Sequence, residues 1–290
     1  MLLLALGCTP ENTFVERPFE SIAVVTGDFD QVEASFNRLD VAYIPYEGYI
    51  TTAAYDESVD PDLMGLKSEH LFTGEDDDGN KELFKHDALF VNSGTRGFAE
   101  YMYKESLAAD DHLVSDEQVI EDVRDFVSRG RTVWVSDWGY ELVEACWPDM
   151  IDFYGDDELL EDAEVGASGR TAARIIDSEL QEKLGTEQLS IDFNYTNWAL
   201  VEDVSDDVEV VLRGDVGYRI SAEEGWGELE QVPLLVRFQV GSGTVVFSSF
   251  HWRAQNAGFA DALLAEVVPG IDPGSVLDGN TAEESGDGTD

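Results

Sequence analysis

The sequence predicts an α/β fold in which a mostly parallel central sheet lies between two layers of helices. Residues 21–26 and 41–44 are short apolar runs rich in β-branched side chains, which is typical of buried strands. Between them, the apolar residues of segment 32–39 recur at helical spacing. A strand-helix-strand order favours parallel pairing, because parallel neighbours need a long crossover connection.

The same alternation resumes after a polar excursion that follows the second strand. Each later element is marked by an apolar run, by helical periodicity, or by a glycine or capping residue at its end. The further predicted elements are a strand at 87–92, a helix at 116–130, a strand at 132–135, a hairpin of strands at 233–240 and 244–250, and a final helix at 256–268.

A long segment interrupts this alternation. Residues 151–230 exceed the length of one connection, so they are predicted to be an insertion that either covers the site or extends the edge of the sheet. Within the insertion, residues 172–184 predict a helix, and residues 189–193 and 208–212 predict strands. We therefore expect one α/β domain with a large insertion before its last strands.

Composition places that domain at residues 21–268. Residues 9–20 are polar with two prolines and predict a tether, and residues 269–290 are acidic without any basic residue and predict a disordered tail. Residues 1–8 resemble the end of a bacterial lipoprotein signal, which implies cleavage before Cys8 and lipid attachment to it. The expected location is then the cell envelope, periplasmic or on the surface. Without lipidation the chain would be secreted or cytoplasmic.

The formal net charge of -45, from 17 basic and 62 acidic residues, restricts the partners. Such a field repels nucleic acid and anionic lipid headgroups, so no nucleic acid is expected and a membrane only through a lipid on Cys8. Basic proteins and divalent cations remain permitted. An acidic surface of this kind suits a salty medium, and we expect salt to stabilise the fold by screening self-repulsion.

The most informative local pattern is a strand that runs directly into a tight turn and a helix over residues 132–144. A turn of this kind presents one side chain, here Asp137, at the carboxyl end of the sheet, where open α/β folds place their sites. In enzymes with this turn the presented residue is usually Ser or Cys. A second candidate, His251, stands at the end of the last predicted strand.

Two motifs at these positions resemble those of the class I glutamine-amidotransferase-like superfamily, which includes trehalose-utilisation-type relatives. Catalytic members read Cys-x-Gly-x-Gln at the turn and Phe-His-x-Glu at a late strand, whereas this chain reads Asp137-Trp-Gly-Tyr-Glu141 and Phe250-His-Trp-Arg253. The resemblance implies a flavodoxin-like three-layer sandwich and puts Gly94 in the oxyanion loop. Asp137 stands at the cysteine position, Glu141 at the glutamine position, and Arg253 where an acid would orient the histidine.

These departures decide what chemistry is expected. A carboxylate cannot form the thioester that amide hydrolysis by this fold needs, so glutaminase activity is not expected. Asp137 could act with His251 and Glu141 as a nucleophile or general base, or join His251 in a metal site. The alternative is a structural role, because a carboxylate at a helix N-terminus is stabilised by capping and by the helix dipole. We favour the structural role and predict neither a metal nor a cofactor.

Residues next to these turns are candidates for ligand contact, together with Gly94. Trp138, Tyr140 and Trp252 could line an aromatic pocket for sugars or other amphipathic ligands, although aromatic residues beside a sheet more often belong to the core. Arg96 and Arg253 could bind a carboxylate ligand or pair with acidic residues of the chain itself.

The sequence thus favours a non-catalytic, amidotransferase-like binding or structural module of the cell envelope, with a small molecule or carbohydrate as its candidate ligand. The second reading is a hydrolase or carbohydrate-active enzyme that uses Asp137 and His251. The third is an interaction protein that recruits cations or basic proteins through its acidic surface.

Overall fold

The computed structural model describes residues 19–48, 67–95, 113–155, 163–221 and 224–268. The strands in these ranges are β1 (Ile22–Val25), β2 (Ile44–Tyr46), β3 (Ala88–Val91), β4 (Thr132–Ser136), β5 (Ile151–Phe153), β6 (Gly169–Ile175), β7 (Gln188–Phe193), β8 (Val201–Val204), β9 (Val208–Ser221), β10 (Gly225–Val240) and β11 (Gly243–Ser248). The α-helices are α1 (Glu33–Arg38), α2 (Ser68–Thr73), α3 (Glu117–Ser128), α4 (Tyr140–Cys146), α5 (Ser178–Leu184) and α6 (Ala257–Val267), and short 3-10 turns occur at Glu82–Lys85, Leu113–Ser115, Asp137–Gly139 and Trp252–Ala254.

Nine strands form one mixed sheet in the order β2-β1-β3-β4-β11-β10-β9-β6-β7, and β5 pairs with β8 in a separate two-stranded sheet. The pairs from β2 to β11 are parallel, whereas those from β11 to β7 are antiparallel. Counted along the parallel core, the strand order is the 2-1-3-4-5 order of flavodoxin-like folds. The predicted fold class is therefore confirmed, and the insertion adds the antiparallel strands.

Successive residues of the parallel strands face opposite helical layers, as the period of a strand requires. Val24 of β1 belongs to a buried cluster with Phe36 of α1, and α6 packs on the same face. Val25 belongs to the opposite cluster with Val123 of α3, and α2 and α4 pack there. All four side chains are fully buried, so the sheet is covered on both faces as predicted for a three-layer sandwich.

Capping residues fix the ends of the helices that the sequence predicted. The Asp116 side chain accepts a hydrogen bond from the backbone N–H of Gln118 and begins α3. The Asn256 side chain accepts from the N–H groups of Gly258 and Phe259 and begins α6. Each cap satisfies N–H groups that have no partner within their helix. These polar residues therefore determine where each helix begins.

The helix predicted at 172–184 is wrong in its first half. Residues up to Ile175 belong to β6, in which Ala173 and Ile175 are buried and the residues between and beside them face outwards. This spacing of two is the period of a strand. The helix begins only after Asp177, whose side chain caps α5 by accepting from the N–H groups of Glu179 and Leu180.

Several predictions concern residues outside the described ranges: the lipid attachment at Cys8, most of the tether, Arg96 and the acidic tail. In the part of the chain that the structure describes, no helix has the length and apolar character needed to cross a bilayer.

A buried histidine joins β1 and β2 at the edge of the sheet. The Nδ1 atom of His86 lies 2.9 Å from the Ser21 hydroxyl, and its Nε2 atom lies 2.9 Å from the Tyr46 hydroxyl, which in turn donates to Glu82. Burial lowers the pKa of His86, and the charge of Glu82 offsets only part of that effect. The ring is therefore neutral in the folded chain, with Nε2 as its donor.

Candidate functional site

The turn after β4 holds Asp137 in a strained backbone conformation. Its φ angle is 45°, in the left-handed region that costs a non-glycine residue about 1–3 kcal/mol. The 3-10 turn that it begins leads straight into α4. A side chain at Gly139 would place its Cβ 2.5 Å from the Val135 side chain, so only glycine fits this turn. The strand-turn-helix therefore presents Asp137 as the sequence predicted.

The carboxylate of Asp137 is fully engaged with groups of the protein. Its Oδ2 atom accepts from His251 Nε2 at 2.7 Å and from the Ser93 hydroxyl at 3.1 Å. Its Oδ1 atom accepts from the backbone N–H of Ala199 at 2.7 Å. Ser93, Asp137 and His251 are only 0%, 2% and 5% exposed. The three side chains thus form one buried polar network.

Both ring nitrogens of His251 face oxygen acceptors. Nε2 faces the carboxylate of Asp137, and Nδ1 lies 3.0 Å from Oδ1 of Asn194. Burial opposes the charged ring, but the hydrogen bond to Asp137 and its negative charge together outweigh burial and raise the pKa of His251. Both ring nitrogens thus face acceptors, which suits the protonated ring that the raised pKa favours, and His251 and Asp137 form a buried hydrogen-bonded pair.

The insertion covers this network through residues 194–200, which we call the cover segment. Asn194 contacts His251 and Ala199 contacts Asp137, while the carbonyl oxygen of Asn197 accepts from Trp138 Nε1 at 2.5 Å. The sequence left two roles open for the insertion. It fulfils both, because its strands extend the sheet and its cover segment closes over the site.

Trp198 anchors the cover segment in the core. Its ring stacks on Phe193 with centroids 4.1 Å apart, and its Nε1 atom donates to the carbonyl oxygen of Ala167 at 2.9 Å. Gly166 lies directly beneath the indole, where an added Cβ would come within 2.0 Å of the ring. The seat of Trp198 therefore depends on the absence of a side chain at Gly166.

Replacing Gly166 with alanine is expected to lower the free energy of unfolding by about 1–3 kcal/mol, because the new methyl group must displace a buried ring. Gly169→Ala is the matched control: no atom lies within 4 Å of its added Cβ, and we expect a change of about 0.5 kcal/mol or less. Urea denaturation of both variants measures the difference. Equal losses would show that Trp198 is not seated as described.

The loop after β3 brings two further groups to the site. The backbone N–H of Ser93 donates to the Ser136 hydroxyl at 3.0 Å, which fixes the loop beside β4. Gly94 has a φ of +80°, and an added Cβ would lie 2.6 Å from the Phe29 ring. Gly94 is thus next to the network, at the position that the resemblance assigns to the oxyanion loop.

The aromatic candidates do not line one pocket. Trp138 reaches the site, where its ring contacts Phe29 edge-on at 4.9 Å. Tyr140 packs on Phe153 in the helical layer on one face of the sheet, and Trp252 belongs to the core on the opposite face. The aromatic side chain that lies over His251 is instead Tyr195, at 5.6 Å and 45% exposed.

The remaining candidates lie around the network. Glu141 is buried in the first turn of α4, but it is not among the groups that contact the Asp137 carboxylate in the described structure. The exposed residue Arg253 follows the histidine, and its backbone N–H donates to Asp30 at 3.1 Å. Within the described ranges, no group of three or more His, Cys, Asp or Glu side chains is arranged to hold a metal ion.

Sequence reasoning missed Ser93, Asn194 and Ala199. Ser93 carried a usable signal, since it directly follows a predicted parallel strand, and the carboxyl ends of parallel strands meet at one edge of the sheet. Asn194 and Ala199 carried none, because they reach the site from an insertion whose path the local pattern does not define.

The two histidines that are buried in the described ranges, His86 and His251, are expected to have pKa values shifted in opposite directions. In an NMR titration the ring of His86 should protonate below its ordinary pKa of about 6.5 and the ring of His251 above it. The His251 ion pair then stabilises the fold fully below about pH 6.5 and is lost as the pH rises through the folded pKa. His86 instead costs stability as the pH falls below about 6.5, because only the unfolded chain takes up its proton readily.

A His86→Gln variant assigns the two signals. If the His251 midpoint lay below that of His86, the charged state described for the network would be wrong.

A parallel core in 2-1-3-4-5 order with helices on both faces defines a flavodoxin-like fold, which here has a strained turn after its fourth parallel strand and a histidine three residues after its last parallel strand. No protein-family model matches the chain, and no curated protein matches it.

Solved structures that it resembles include the following three proteins. A glutamine amidotransferase from Thermotoga maritima is 10% identical, with 89% of this chain and 88% of that one covered and a TM-score of 0.42. A ThuA-like protein from Bacteroides uniformis is 9% identical, covering 87% and 91%, with a TM-score of 0.43. PurLQS from Thermotoga maritima is 13% identical, covering 90% and 96%, with a TM-score of 0.44. The function proposed below rests on the site itself.

Proposed function

We propose that this protein is a non-catalytic, amidotransferase-like module of the cell envelope, with a binding or structural role. The observation that carries the proposal is the saturation of Asp137 inside the protein. Both of its oxygens accept hydrogen bonds from Ser93, His251 and Ala199, and the two side chains among these partners are buried with it. A nucleophile or general base must come within hydrogen-bond reach of a substrate, and none of these groups is open to one.

The hydrogen bonds of His251 also favour a structural role. Its two ring nitrogens face Asp137 and Asn194, so neither nitrogen is free to accept a proton from a substrate. The carboxylate cannot replace the thiolate in thioester chemistry. In this geometry the network connects the ends of β4 and β11 to the cover segment through hydrogen bonds.

Hydrolysis assays test this proposal directly. Purified wild-type protein is expected to release no ammonia from glutamine and to leave chromogenic esters and glycosides intact at any rate above buffer. Turnover by the wild type that is lost in Asp137→Asn but kept in Asp125→Asn would overturn the proposal. Asp125 is a suitable control because it pairs with Arg129 on the exposed face of α3, away from the site.

One observation favours a second candidate, a hydrolase that uses Asp137 and His251. The left-handed φ of Asp137 is a strained conformation of the kind found at active sites and nucleophile turns. For this activity the cover segment would have to move, because it occupies Oδ1 of Asp137 and Nδ1 of His251. The assay with Asp137→Asn separates this candidate from the first.

A ligand of the module would meet the outer surface of the cover segment. Tyr195 is 45% exposed above His251, Phe29 is half-buried beside it with ring centroids 6.0 Å apart, and Arg253 is exposed after His251. Aromatic rings beside a guanidinium group suit a small amphipathic ligand such as a sugar acid. A Tyr195→Ala variant that bound such ligands as well as the wild type would remove this surface from the proposal.

The envelope location rests on the sequence of residues 1–8 and their resemblance to a lipoprotein signal. Expression of the full chain in a bacterium with labelled fatty acid is expected to label the wild type and not Cys8→Ser. Equal partition of both forms into the aqueous phase of a detergent extraction would contradict the lipid anchor.

A further inference from the structure

The outer half of β10 has one edge without a neighbouring strand in the described structure. From Leu235 to Val240 this strand pairs with β11 on one side, and from Leu235 to Phe238 it also pairs with β9 on the other. From Gly225 to Val232 its backbone pairs only with β9. An open edge of this kind presents free N–H and C=O groups, which are a template for the addition of another strand.

The exposed face of this open edge is acidic. Trp226, Glu228 and Glu230 are exposed, whereas the residues between them are half-buried, so the three side chains share one face. Trp226 is 58% exposed, the largest value among the exposed large hydrophobic residues of the described chain. Neither glutamate side chain makes a hydrogen bond or an ion pair in the described structure. We call residues 225–231 the β10 edge.

The neighbouring strand leaves these side chains accessible. Glu228 lies opposite Gly217, which has no side chain to cover it, and Trp226 lies opposite the exposed Arg219. Residues 226–229 of β10 pair with β9 in regular register, and a bulge follows at residues 230–231, where Gln231 has a φ of 57° and donates its backbone N–H to Asp215. The main chain of an added strand would therefore pair with residues 226–229, and Glu230 would contribute its charge.

We propose that the β10 edge binds an extended, basic segment of a partner protein by strand addition. Alternate Lys or Arg side chains of that segment would face Glu228 and Glu230, and one would lie over the ring of Trp226. Opposite charges on facing strands and a cation over an indole are both favourable contacts. Main-chain hydrogen bonds would supply the rest of the affinity, and the side-chain pattern would give specificity.

A second copy of this chain does not fit the same edge. Pairing two β10 edges would set the glutamates of one copy against those of the other, and like charges on facing strands are destabilising. The net charge of -45 repels another copy at longer range as well. The charge pattern thus selects a basic partner.

The test uses the full protein and two synthetic seven-residue peptides. The first has Lys or Arg at every second position with Thr and Val between, and the second carries the same charges with proline at the spacer positions. We expect the first peptide to change the fluorescence of Trp226 and to slow amide hydrogen exchange in the β10 edge. The proline peptide has lost the N–H groups at its spacers, so it should bind at least about tenfold more weakly.

Matched charge reversals separate local recognition from bulk attraction. Glu228→Lys with Glu230→Lys should weaken the first peptide by about tenfold or more. The control is Glu121→Lys with Glu182→Lys, which makes the same change in net charge at exposed positions of α3 and α5 and should alter affinity by less than about threefold.

Three results would overturn the proposal: equal binding of both peptides, equal weakening by both pairs of reversals, or no binding of the first peptide. A dimer that forms through the β10 edge without any peptide would assign the edge to self-association instead. Retention of the wild-type melting temperature in the reversal variants excludes misfolding as a cause.

Discussion

Replacing Asp137 with alanine is expected to lower the free energy of unfolding by about 3–5 kcal/mol. The substitution removes the carboxylate that favours the charged form of the buried His251 ring, so the ring gives up its proton at a cost in stability, and it leaves the N–H of Ala199 without an acceptor. Alanine gains nothing from the left-handed φ at this turn, so the backbone strain remains. Urea denaturation followed by circular dichroism at pH 6, where His251 is charged, measures the loss.

Asp125→Ala is the control for this prediction. Asp125 forms an ion pair with Arg129 in α3, and both side chains are about half exposed. Exposed pairs of this kind contribute at most about 1 kcal/mol because solvent screens them. Similar small losses in Asp137→Ala and Asp125→Ala would mean that the network contributes no more than a surface pair, and the structural role proposed for it would fail.

Replacing Trp198 with alanine should have an effect of similar size, about 3–5 kcal/mol. The variant loses the stacking on Phe193 and the hydrogen bond to Ala167, and it opens a cavity under the cover segment. Because the cover segment excludes water from His251, its loosening relieves the burial that opposes the charged ring and should also shift the pKa of that ring from its wild-type value. Denaturation and an NMR titration of the variant give the two measurements.

Trp226→Ala removes the same side chain from the surface and serves as the control. At 58% exposure, this tryptophan should contribute about 0.5 kcal/mol or less to stability. A Trp198→Ala variant that lost stability but kept the His251 titration of the wild type would show that the cover segment is held by other contacts.

The elements that local pattern predicts correctly are those with strong periodicity or a clear cap. The parallel strands are continuous apolar runs because both faces of the sheet are buried. Asp116 and Asn256 are recognisable caps that mark the starts of α3 and α6. The segment at 172–184 shows the limit of this reasoning. Its local pattern favours a helix, but pairing with β7 and β9 makes its first half a strand.

The candidate site also contains residues that could be predicted from local pattern and residues that could not. Asp137 and His251 could be predicted because each follows a strand of the parallel core, Asp137 directly and His251 by three residues. The partner of the histidine could not, because the acid of the related motif is replaced by Arg253 and its orienting role falls to Asn194 in the insertion. Asn194 reaches the histidine because of the path of the insertion, and neither motif contains information about that path.

The position of β11 has a consequence for biosynthesis. This strand lies between β4 and β10 in the sheet, and Thr132 pairs with Thr244 although 111 residues separate them. During translation, the edges of β4 and β10 that will pair with β11 therefore stay unpaired until residues 243–248 have left the ribosome. Asp137 likewise has no histidine partner until His251 has been synthesised. Strand pairs between distant parts of a chain form slowly, and strands that stay unpaired meanwhile are prone to aggregation. We therefore expect the nascent chain to need chaperone protection until its last strand arrives.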